Sequence, residues 1–194
     1  MMKATTDKIL LEKDVDLIAK IAAGDRQAFS QLVLQNQDRV VNLAFRILGD
    51  RAAAEDIAQD AFLRAYHSAD RFRGGASVQT WLYRITVNLA LKHLRKRKWE
   101  RLFSFLEAEE INRWQTELNQ RPDRLAETEE AKQLLHQAVL QLPEAQRTVL
   151  ILHRWEGLSH KEIADIMGLS VSAVESRLHR AYKKLATILA RWMK

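Results

Sequence analysis

The stretch from Ser159 to Ala181, SHKEIADIMGLSVSAVESRLHRA, decides the fold of the C-terminal half of the chain. The pattern Ser-x-x-Glu occurs in it twice, beginning at Ser159 and again at Ser172. This pattern is typical of a capping box, in which a serine and a glutamate together satisfy the first backbone amides of a helix. Gly168 lies between the two predicted helix starts, where a tight turn favours glycine. Two short helices joined by such a turn predict a helix-turn-helix.

The second of these helices has an apolar and a polar face. Apolar residues recur at spacings of three and four and predict the buried face: Val171, Val174, Leu178, Ala181 and Leu185. The candidate DNA-contacting residues are polar or basic: Ser172, Glu175, Ser176, Arg177, His179, Arg180 and Lys183. Short hydroxyls allow close approach to a major groove, and arginine reaches guanine edges or phosphates. A surface hairpin with a solvated basic face is the alternative, but the agreement of capping, turn, spacing and charge favours DNA.

Glu175 lies at the flank of the polar face, and three roles are open for it. It can close a capping box with Ser172, which the sequence slightly favours. It can accept a hydrogen bond from a cytosine amino group in the groove. It can also simply repel phosphates.

Composition and charge bound the class of protein. The 194 residues carry a formal net charge of +6, and the pI is near 9.7, which weakly favours an anionic partner. There is no cysteine, so disulfides and thiolate metal sites are excluded. The N-terminus is charged throughout and lacks the apolar core of a signal peptide, and no run approaches the ~20 apolar residues of a membrane span. We therefore expect a cytoplasmic protein without direct membrane insertion.

The pattern along the chain predicts an all-α fold of two small helical domains joined by a linker. Six glycines and two prolines punctuate apolar residues spaced mostly by three and four. The predicted helices of the first half cover about 14–23, 25–48, 51–69 and 77–98, and the fourth, apolar on two faces, is expected at the centre. The predicted domains are residues 1–98 and 128–194. The acidic segment between them, 99–127, is the predicted linker, and its apolar residues from Trp99 to Leu118 are expected to pack the domains together when the protein is unbound.

The third predicted helix carries an acidic face. Asp56, Gln59, Asp60 and Leu63 lie opposite its apolar stripe. An acidic surface has the wrong sign for nucleic acid, whereas one exposed leucine among polar residues suits a protein contact. A merely solvated face is the alternative.

The fourth predicted helix combines aromatic residues with a basic tract. Six Lys or Arg fall between residues 92 and 101, Lys92 and Arg95 among them. Three further candidate residues lie upstream of this tract. Phe72 comes just before a glycine loop, and Arg84 and Asn88 follow that loop. Aromatic rings beside a basic groove suit single-stranded nucleic acid, because bases stack on rings while cations meet phosphates.

Four segments in this order resemble the extracytoplasmic-function (ECF) group of bacterial sigma factors. They are GDRQAFSQLV, AEDIAQDAFLRAY, FRGGASVQTWLYRITVN and LPEAQRTVLILHRWEGLSHKEIADIMGLSVSAVESRLHRA, which lie between about Gly24 and Lys184 and leave out the middle segment. The resemblance implies a factor that binds core RNA polymerase, reads the −35 promoter element as duplex and reads the −10 element as a melted strand.

The resemblance also implies roles for residues. It places Asp56, Gln59 and their neighbours against the polymerase. It makes the loop 71–76, with Phe72, Arg84 and Asn88, a pocket for an unstacked promoter base. It makes Ser176, Arg177 and Arg180 readers of the −35 groove. Promoter DNA, core RNA polymerase and an anti-sigma factor are the partners it implies, without a cofactor.

Three other classes of function compete with this interpretation. A helix-turn-helix regulator that does not act through core polymerase would need a receiver or ligand domain, and the first half offers no alternating strand pattern. An enzyme is disfavoured because no phosphate-binding glycine motif, His-Glu-x-x-His or Glu-x-x-His is present. A purely protein-binding helical adaptor would leave the basic C-terminal face unexplained.

Overall fold

A computed structural model describes the backbone of residues 2–107 and 127–192, and the side chains of residues 12–100 and 131–192. Those residues form helices and connecting turns without a strand. The all-α prediction is therefore confirmed. The helices are α1 (Met2–Ala22), α2 (Arg26–Leu48), α3 (Arg51–His67), α4 (Val78–Glu107), α5 (Glu127–Leu140), α6 (Glu144–Arg154), α7 (His160–Met167) and α8 (Val171–Trp192), with a 3₁₀ turn at Ala69–Arg71.

Local capping sets the helix boundaries of the first half. The Asp25 carboxylate accepts hydrogen bonds from the backbone N–H groups of Gln27 and Ala28, and α2 ends at Gly49 in the left-handed conformation. Two predicted boundaries are wrong. Helix α1 begins at Met2 rather than near residue 14, and α4 continues past residue 98 to Glu107. Neither added stretch contains a glycine or proline, so no residue breaks the helix there.

Helix α4 is the centre of the first half, as its two apolar faces predict. It packs against α2 and α3, and contacts α1 as well. Leu82, Tyr83 and Val87 are almost fully buried, while the aromatic ring of Trp81 is only half buried. One helix thus carries core packing on most of its surface and an exposed polar face on the remainder.

The second half is built around the predicted helix-turn-helix. Ser159 and Glu162 form a reciprocal capping box at the start of α7, and Gly168 ends that helix at a φ of 63°. Buried apolar residues of both helices hold the pair together: Ile163, Ala164, Ile166, Val174, Leu178 and Ala181. Pro143 precedes α6 as its N-cap residue, and its ψ of 139° is extended.

The start of α8 corrects two expectations. The helix begins at Val171, and its cap is Ser170, whose hydroxyl accepts a hydrogen bond from the Ala173 N–H at 3.2 Å. Ser172 is therefore inside the helix, and the predicted capping box with Glu175 is wrong. Val171 is 42% exposed, since it opens the helix ahead of the buried stripe that begins at Val174.

The two halves contact each other through several helices. Helix α7 packs against α4, and α5 and α6 pack against α2. The rings of Phe45 and His136 stack with centroids 4.9 Å apart. The linker's apolar residues from Trp99 to Leu118 were expected to pack the domains together, and all of them except Trp99 lie outside the described side chains. The Trp99 side chain is 60% exposed.

Candidate nucleic-acid and protein interfaces

The polar face of α8 is open to solvent. Ser172, Glu175, Ser176, His179, Arg180 and Lys183 are exposed, and Arg177 is half buried. The Arg180 guanidinium folds back on its own helix, where Nη2 donates to Ser176 Oγ at 3.1 Å and Nε donates to the Ser176 carbonyl at 3.2 Å. The helix thus presents hydroxyls and cations on one rigid surface, which is the chemistry that a major groove accepts.

Glu175 makes a contact that the sequence did not indicate. Its Oε1 lies 3.4 Å from Nδ1 of His160, the first residue of α7. This contact joins the two helices of the helix-turn-helix at the solvent-facing edge. Both side chains are substantially exposed, so an ion pair here would be worth little to stability.

A second polar face runs along α4. Arg84, Asn88, Lys92 and Arg95 are all exposed and are spaced by four, four and three residues, which places them on one side of the helix. The Arg95 Nε donates to the Leu91 carbonyl at 3.3 Å. This face presents three cations and one amide over about three helical turns.

Aromatic rings lie at the upstream end of that face. Phe72 follows the 3₁₀ turn, and its ring centroid is 5.1 Å from that of Trp81 on α4. Both rings are half buried. Each ring therefore packs on the core with part of its surface and leaves the rest exposed.

A cleft of about 880 Å³ opens beside these rings. Its walls come from α1, the loop 71–77 and α4 on one side and from α7 on the other. The aromatic and charged residues that line the cleft are Asp14, Arg71, Phe72, Arg73, Trp81, Arg84, Lys161, Glu162 and Asp165. The structure thus brings Phe72 and Arg84 together in the lining of the cleft. Asn88 is not part of that lining and lies about one helical turn beyond Arg84 on α4.

Asp14 is a residue of this region that sequence reasoning missed. Its Oδ2 accepts a hydrogen bond from the Val78 N–H at 2.9 Å, which satisfies an otherwise orphan amide at the first turn of α4. The Ser77 hydroxyl accepts from the Thr80 N–H at 3.1 Å and provides the predicted cap. Helix α1 therefore anchors the start of the helix that carries the basic face.

The acidic face of α3 is exposed as expected. Asp56, Gln59, Asp60 and Leu63 all lie on the solvent side, and Leu63 is 54% exposed. The opposite face is buried in the core. These four residues are positioned by a helix whose own packing does not need them, so they are available to a partner.

Two other kinds of site receive no support. No cluster of three potential metal ligands occurs among the described residues. In the same part of the chain, no helix is both long and apolar enough to cross a bilayer.

Comparisons with known families match both halves of the chain. Residues 32–100 match Sigma-70 region 2, and residues 132–185 match Sigma-70, region 4. The first match contains the acidic face of α3 and the basic face of α4, and the second contains the helix-turn-helix. The arrangement of the two matches is that of the sigma-70 class of transcription initiation factors.

Individual relatives cover nearly the whole chain. The RNA polymerase sigma-H factor of Pseudomonas aeruginosa is 37% identical over 174 residues, 88% of this chain and 90% of its own length. The ECF RNA polymerase sigma-E factor of Escherichia coli is 35% identical over 188 residues, 93% of each chain. The ECF RNA polymerase sigma factor SigW of Bacillus subtilis is 34% identical over 175 residues, 87% of this chain and 92% of its own.

Solved structures show the same fold. CnrH, in complex with the cytosolic domain of CnrY, aligns with a TM-score of 0.66 and 28% identity over 92% of this chain and 97% of its own. The sigma factor RpoE of Bartonella quintana, in complex with the anti-sigma factor NepR, aligns with a TM-score of 0.65 and 26% identity over 84% and 96%. This chain therefore belongs to the ECF sigma factors, and it directs RNA polymerase to promoters.

Proposed function

We propose that the three exposed faces divide the work of initiation. The α8 face reads the −35 element as duplex, the α4 face with Phe72 holds the melted −10 strand, and the α3 face binds core polymerase. The boundaries of the corresponding domains are proposed at residues 1–98 and 128–194. The observation that carries this division is that the basic faces of α4 and α8 are exposed on different domains, while the acidic face lies on α3.

The −35 role rests on the chemistry of α8. Ser172 and Ser176 have short side chains that let the helix approach base edges, and Arg180 and Lys183 can meet guanine edges or phosphates. The bonds between Arg180 and Ser176 hold the guanidinium against the helix in the unbound protein. They are exposed and can exchange for contacts with DNA at small cost.

The −10 role rests on the combination of rings and cations. Phe72 and Trp81 offer partly exposed rings to an unstacked base, and Arg84, Lys92 and Arg95 follow along one face for the phosphates. Asn88 has both a donor and an acceptor and can pair with the edge of a flipped base. Duplex DNA would not offer its bases to these rings, so the surface suits a melted strand.

Partners and compartment follow from the same assignment. NepR is described as an anti-sigma factor of its sigma partner, and we expect this chain to bind a regulator of that kind. Core polymerase and promoter DNA confine the proposed action to the cytoplasm. The chain acts by recognition, with no chemical step of its own.

Run-off transcription from a promoter library tests the proposal. Core polymerase would be supplied with the wild-type protein, with Arg180→Ala or with Arg191→Ala. The last is a matched control, because Arg191 is also an exposed arginine of α8 but lies outside the proposed face. We expect the wild-type protein to support initiation that depends on core polymerase. Arg180→Ala should reduce this initiation to an extent that varies with the −35 sequence of the promoter, whereas Arg191→Ala should leave it unchanged. Initiation that is equally sensitive to both variants would contradict groove reading by this face.

A further inference from the structure

Trp99 lies near the end of the basic tract of α4, and most of its side chain is exposed. The sequence predicted that this residue would begin the linker and pack the two domains together. In the structure, α4 continues through it to Glu107, and the side chain is 60% exposed. Single exposed apolar residues are common on protein surfaces, so the exposure of this ring gains meaning only from its surroundings.

The position of Trp99 on the helix continues the proposed −10 face. Residues 84, 88, 92, 95 and 99 are spaced by four, four, three and four, which is the spacing of one side of a helix. Because each residue turns an α-helix by about 100°, Trp99 lies only about 20° from Asn88 and about 40° from Arg95 around the axis. The indole therefore extends the stripe that Arg84, Asn88, Lys92 and Arg95 form.

The charges around Trp99 favour a polyanion as its partner. Six Lys or Arg and a single acid, Glu100, fall between residues 92 and 101. The Glu100 Oε1 lies 3.6 Å from the Nζ of Lys96, so a cation offsets part of its charge. Lys92 and Arg95, on the side of the helix that carries Trp99, are both exposed. A ring among cations suits DNA with unpaired bases, because bases stack on the ring while the cations meet phosphates.

The length of α4 determines how far along the promoter Trp99 can reach. Trp99 comes eleven residues after Asn88, a distance of about 16 Å along an α-helix. Successive base pairs of B-DNA are about 3.4 Å apart along the axis, so this distance corresponds to roughly five base pairs. Trp99 therefore does not share the base that is proposed to pair with Asn88 and contacts a separate position of the promoter.

The order of the two proposed DNA-binding domains determines which position this is. Helix α4 ends at Glu107, and the chain then leads to the helix-turn-helix that is proposed to read the −35 element. Because the −35 element lies upstream of the −10 element, the shortest path of the chain turns the end of α4 upstream. Trp99 then faces the upstream edge of the −10 element, where the melted strand meets paired DNA.

We propose that Trp99 is a further promoter-contacting residue, whose indole stacks on the base at the upstream boundary of the melted −10 strand and stabilises that boundary. This inference rests on the proposed assignment of the α4 face to the −10 strand. The ring replaces the stacking partner that a base loses when its neighbour is unpaired. About 27 Å of helix separates Trp99 from Trp81, so aromatic rings lie at both ends of the basic stripe.

Promoter opening by holoenzymes that contain Trp99→Ala, Trp99→Phe or Trp192→Ala tests the proposal. Trp99→Phe keeps an aromatic ring on which a base can stack. Trp192→Ala is the matched control, because Trp192 is also an exposed tryptophan but lies at the end of α8, outside the three proposed faces. Permanganate reactivity of thymines measures which bases are unpaired. A fluorescent adenine analogue at the upstream boundary, whose emission is quenched by stacking, measures the contact itself.

We expect Trp99→Ala to reduce promoter opening about tenfold, the order of effect expected when one base loses its stacking on an aromatic ring. The emission of the analogue at the boundary should rise in the same variant. Trp99→Phe should retain most of the opening, and Trp192→Ala should change neither measurement. Melting of Trp99→Ala should match the wild type, since the side chain is exposed. Unchanged opening, or unchanged emission at the boundary, would overturn the proposal.

The same assay with Asn88→Ala separates this proposal from the proposed function. If Asn88→Ala alters the −10 base preference while Trp99→Ala leaves opening unchanged, only the role of Trp99 is wrong. If neither variant has an effect, the α4 face is not the −10 surface. On a template premelted across the boundary, Trp99→Ala should initiate as well as the wild type. A defect that persists on that template would assign Trp99 to a contact other than the boundary and would overturn the proposal.

Discussion

The α8 face and the α4 face are both basic, but the chain builds them in different ways. The α8 face lies on a single helix whose cap, turn and buried stripe are local to about twenty residues. The α4 face gains its aromatic rings and its anchored start only when the loop 71–77 and α1 are brought beside it. A surface for duplex DNA can stand alone on a helix, whereas a surface for a melted strand also needs rings on which bases stack.

The largest expected effect concerns neither DNA surface but the polymerase contact on which both depend. Asp56→Lys reverses a charge on the α3 face, and a hot-spot residue of an interface can be worth ~2 kcal/mol or more. Core binding, measured by titration of labelled protein, should fall at least about tenfold. Thermal melting should hardly change, because the side chain is exposed. Loss of folding would show instead that this face is structural.

Asn88→Ala addresses the melted strand alone. Contacts to an unstacked base are worth ~1–3 kcal/mol each, so promoter opening should be impaired and the base preference of the −10 element altered. Lys98→Ala is a suitable control, as it removes an exposed basic residue of the same helix outside the proposed set. The same base preference across all −10 variants would remove Asn88 from the site.

Asp14→Ala tests how far the −10 surface depends on its neighbours. Removing a side chain that caps a helix costs ~1 kcal/mol, so the melting temperature should fall by a few degrees. The start of α4 should exchange its amide hydrogens faster, and selection of the −10 element should weaken. Asp16→Ala, on the same helix, should show neither change. Fast exchange at α8 instead would mean that α1 supports the whole chain rather than this site.

Glu175→Gln should have a small effect, and its direction is informative. The wrong prediction of a capping role leaves cytosine readout and phosphate repulsion. Readout predicts a loss of discrimination at one base pair, worth ~1–3 kcal/mol at most. Repulsion predicts tighter binding to every −35 variant, most visible at low salt. Uniformly weaker binding with stability intact would exclude both and indicate that the contact with His160 orients the helices.

The smallest expected effect is a dependence of the contact between the two halves on pH, and it involves His136, which lies at that contact. Burial, and then the positive charges of Arg46 and Arg147, lower the pKa of His136 below its ordinary value of 6.5. Lys132 lines the same pocket. When the two halves are in contact, His136 therefore binds a proton less readily than when its ring is released into water. The contribution of His136 to the contact between the halves is complete above pH ~6.5 and decreases as the pH falls below that value.

Gln35→Cys on α2 and Ala186→Cys on α8, both exposed, provide sites for a fluorescent donor and acceptor, since the chain has no cysteine. Energy transfer between the two labels should decrease on acidification, and His136→Gln should flatten that decrease. A decrease unchanged by the substitution would assign it to other groups.

The sequence predicted what depends on neighbours in the chain. Ser159, Glu162 and Gly168 fix the helix-turn-helix within ten residues, and Asp25 and Gly49 bound α2 as expected. The prediction of Ser172 as the cap of α8 was wrong because the hydroxyl of Ser170, two residues earlier, accepts the hydrogen bond from a backbone N–H of the first turn. The sequence pattern alone does not decide which of the two serines is the cap.

Contacts between distant residues were beyond the sequence. Asp14 bonds to a residue 64 positions away, and Glu156 bonds to partners 73 and 110 positions away. Neither carries a local motif, and an isolated carboxylate in a sequence usually indicates only a solvated surface. The anchoring of α4 by α1 and the contact between the halves depend on such pairs, so they became visible only in the folded chain.

Transcription from paired and premelted promoters tests the central claim, that α8 reads duplex and α4 reads a melted strand. Holoenzymes with Arg180→Ala or Asn88→Ala would be compared on one promoter in fully paired form and with its −10 element premelted. The account predicts that Arg180→Ala reduces initiation by a similar factor on both templates. It predicts that Asn88→Ala is partly rescued by premelting but keeps its altered −10 base preference. A change of −35 preference by Asn88→Ala, or rescue of Arg180→Ala by premelting, would contradict it.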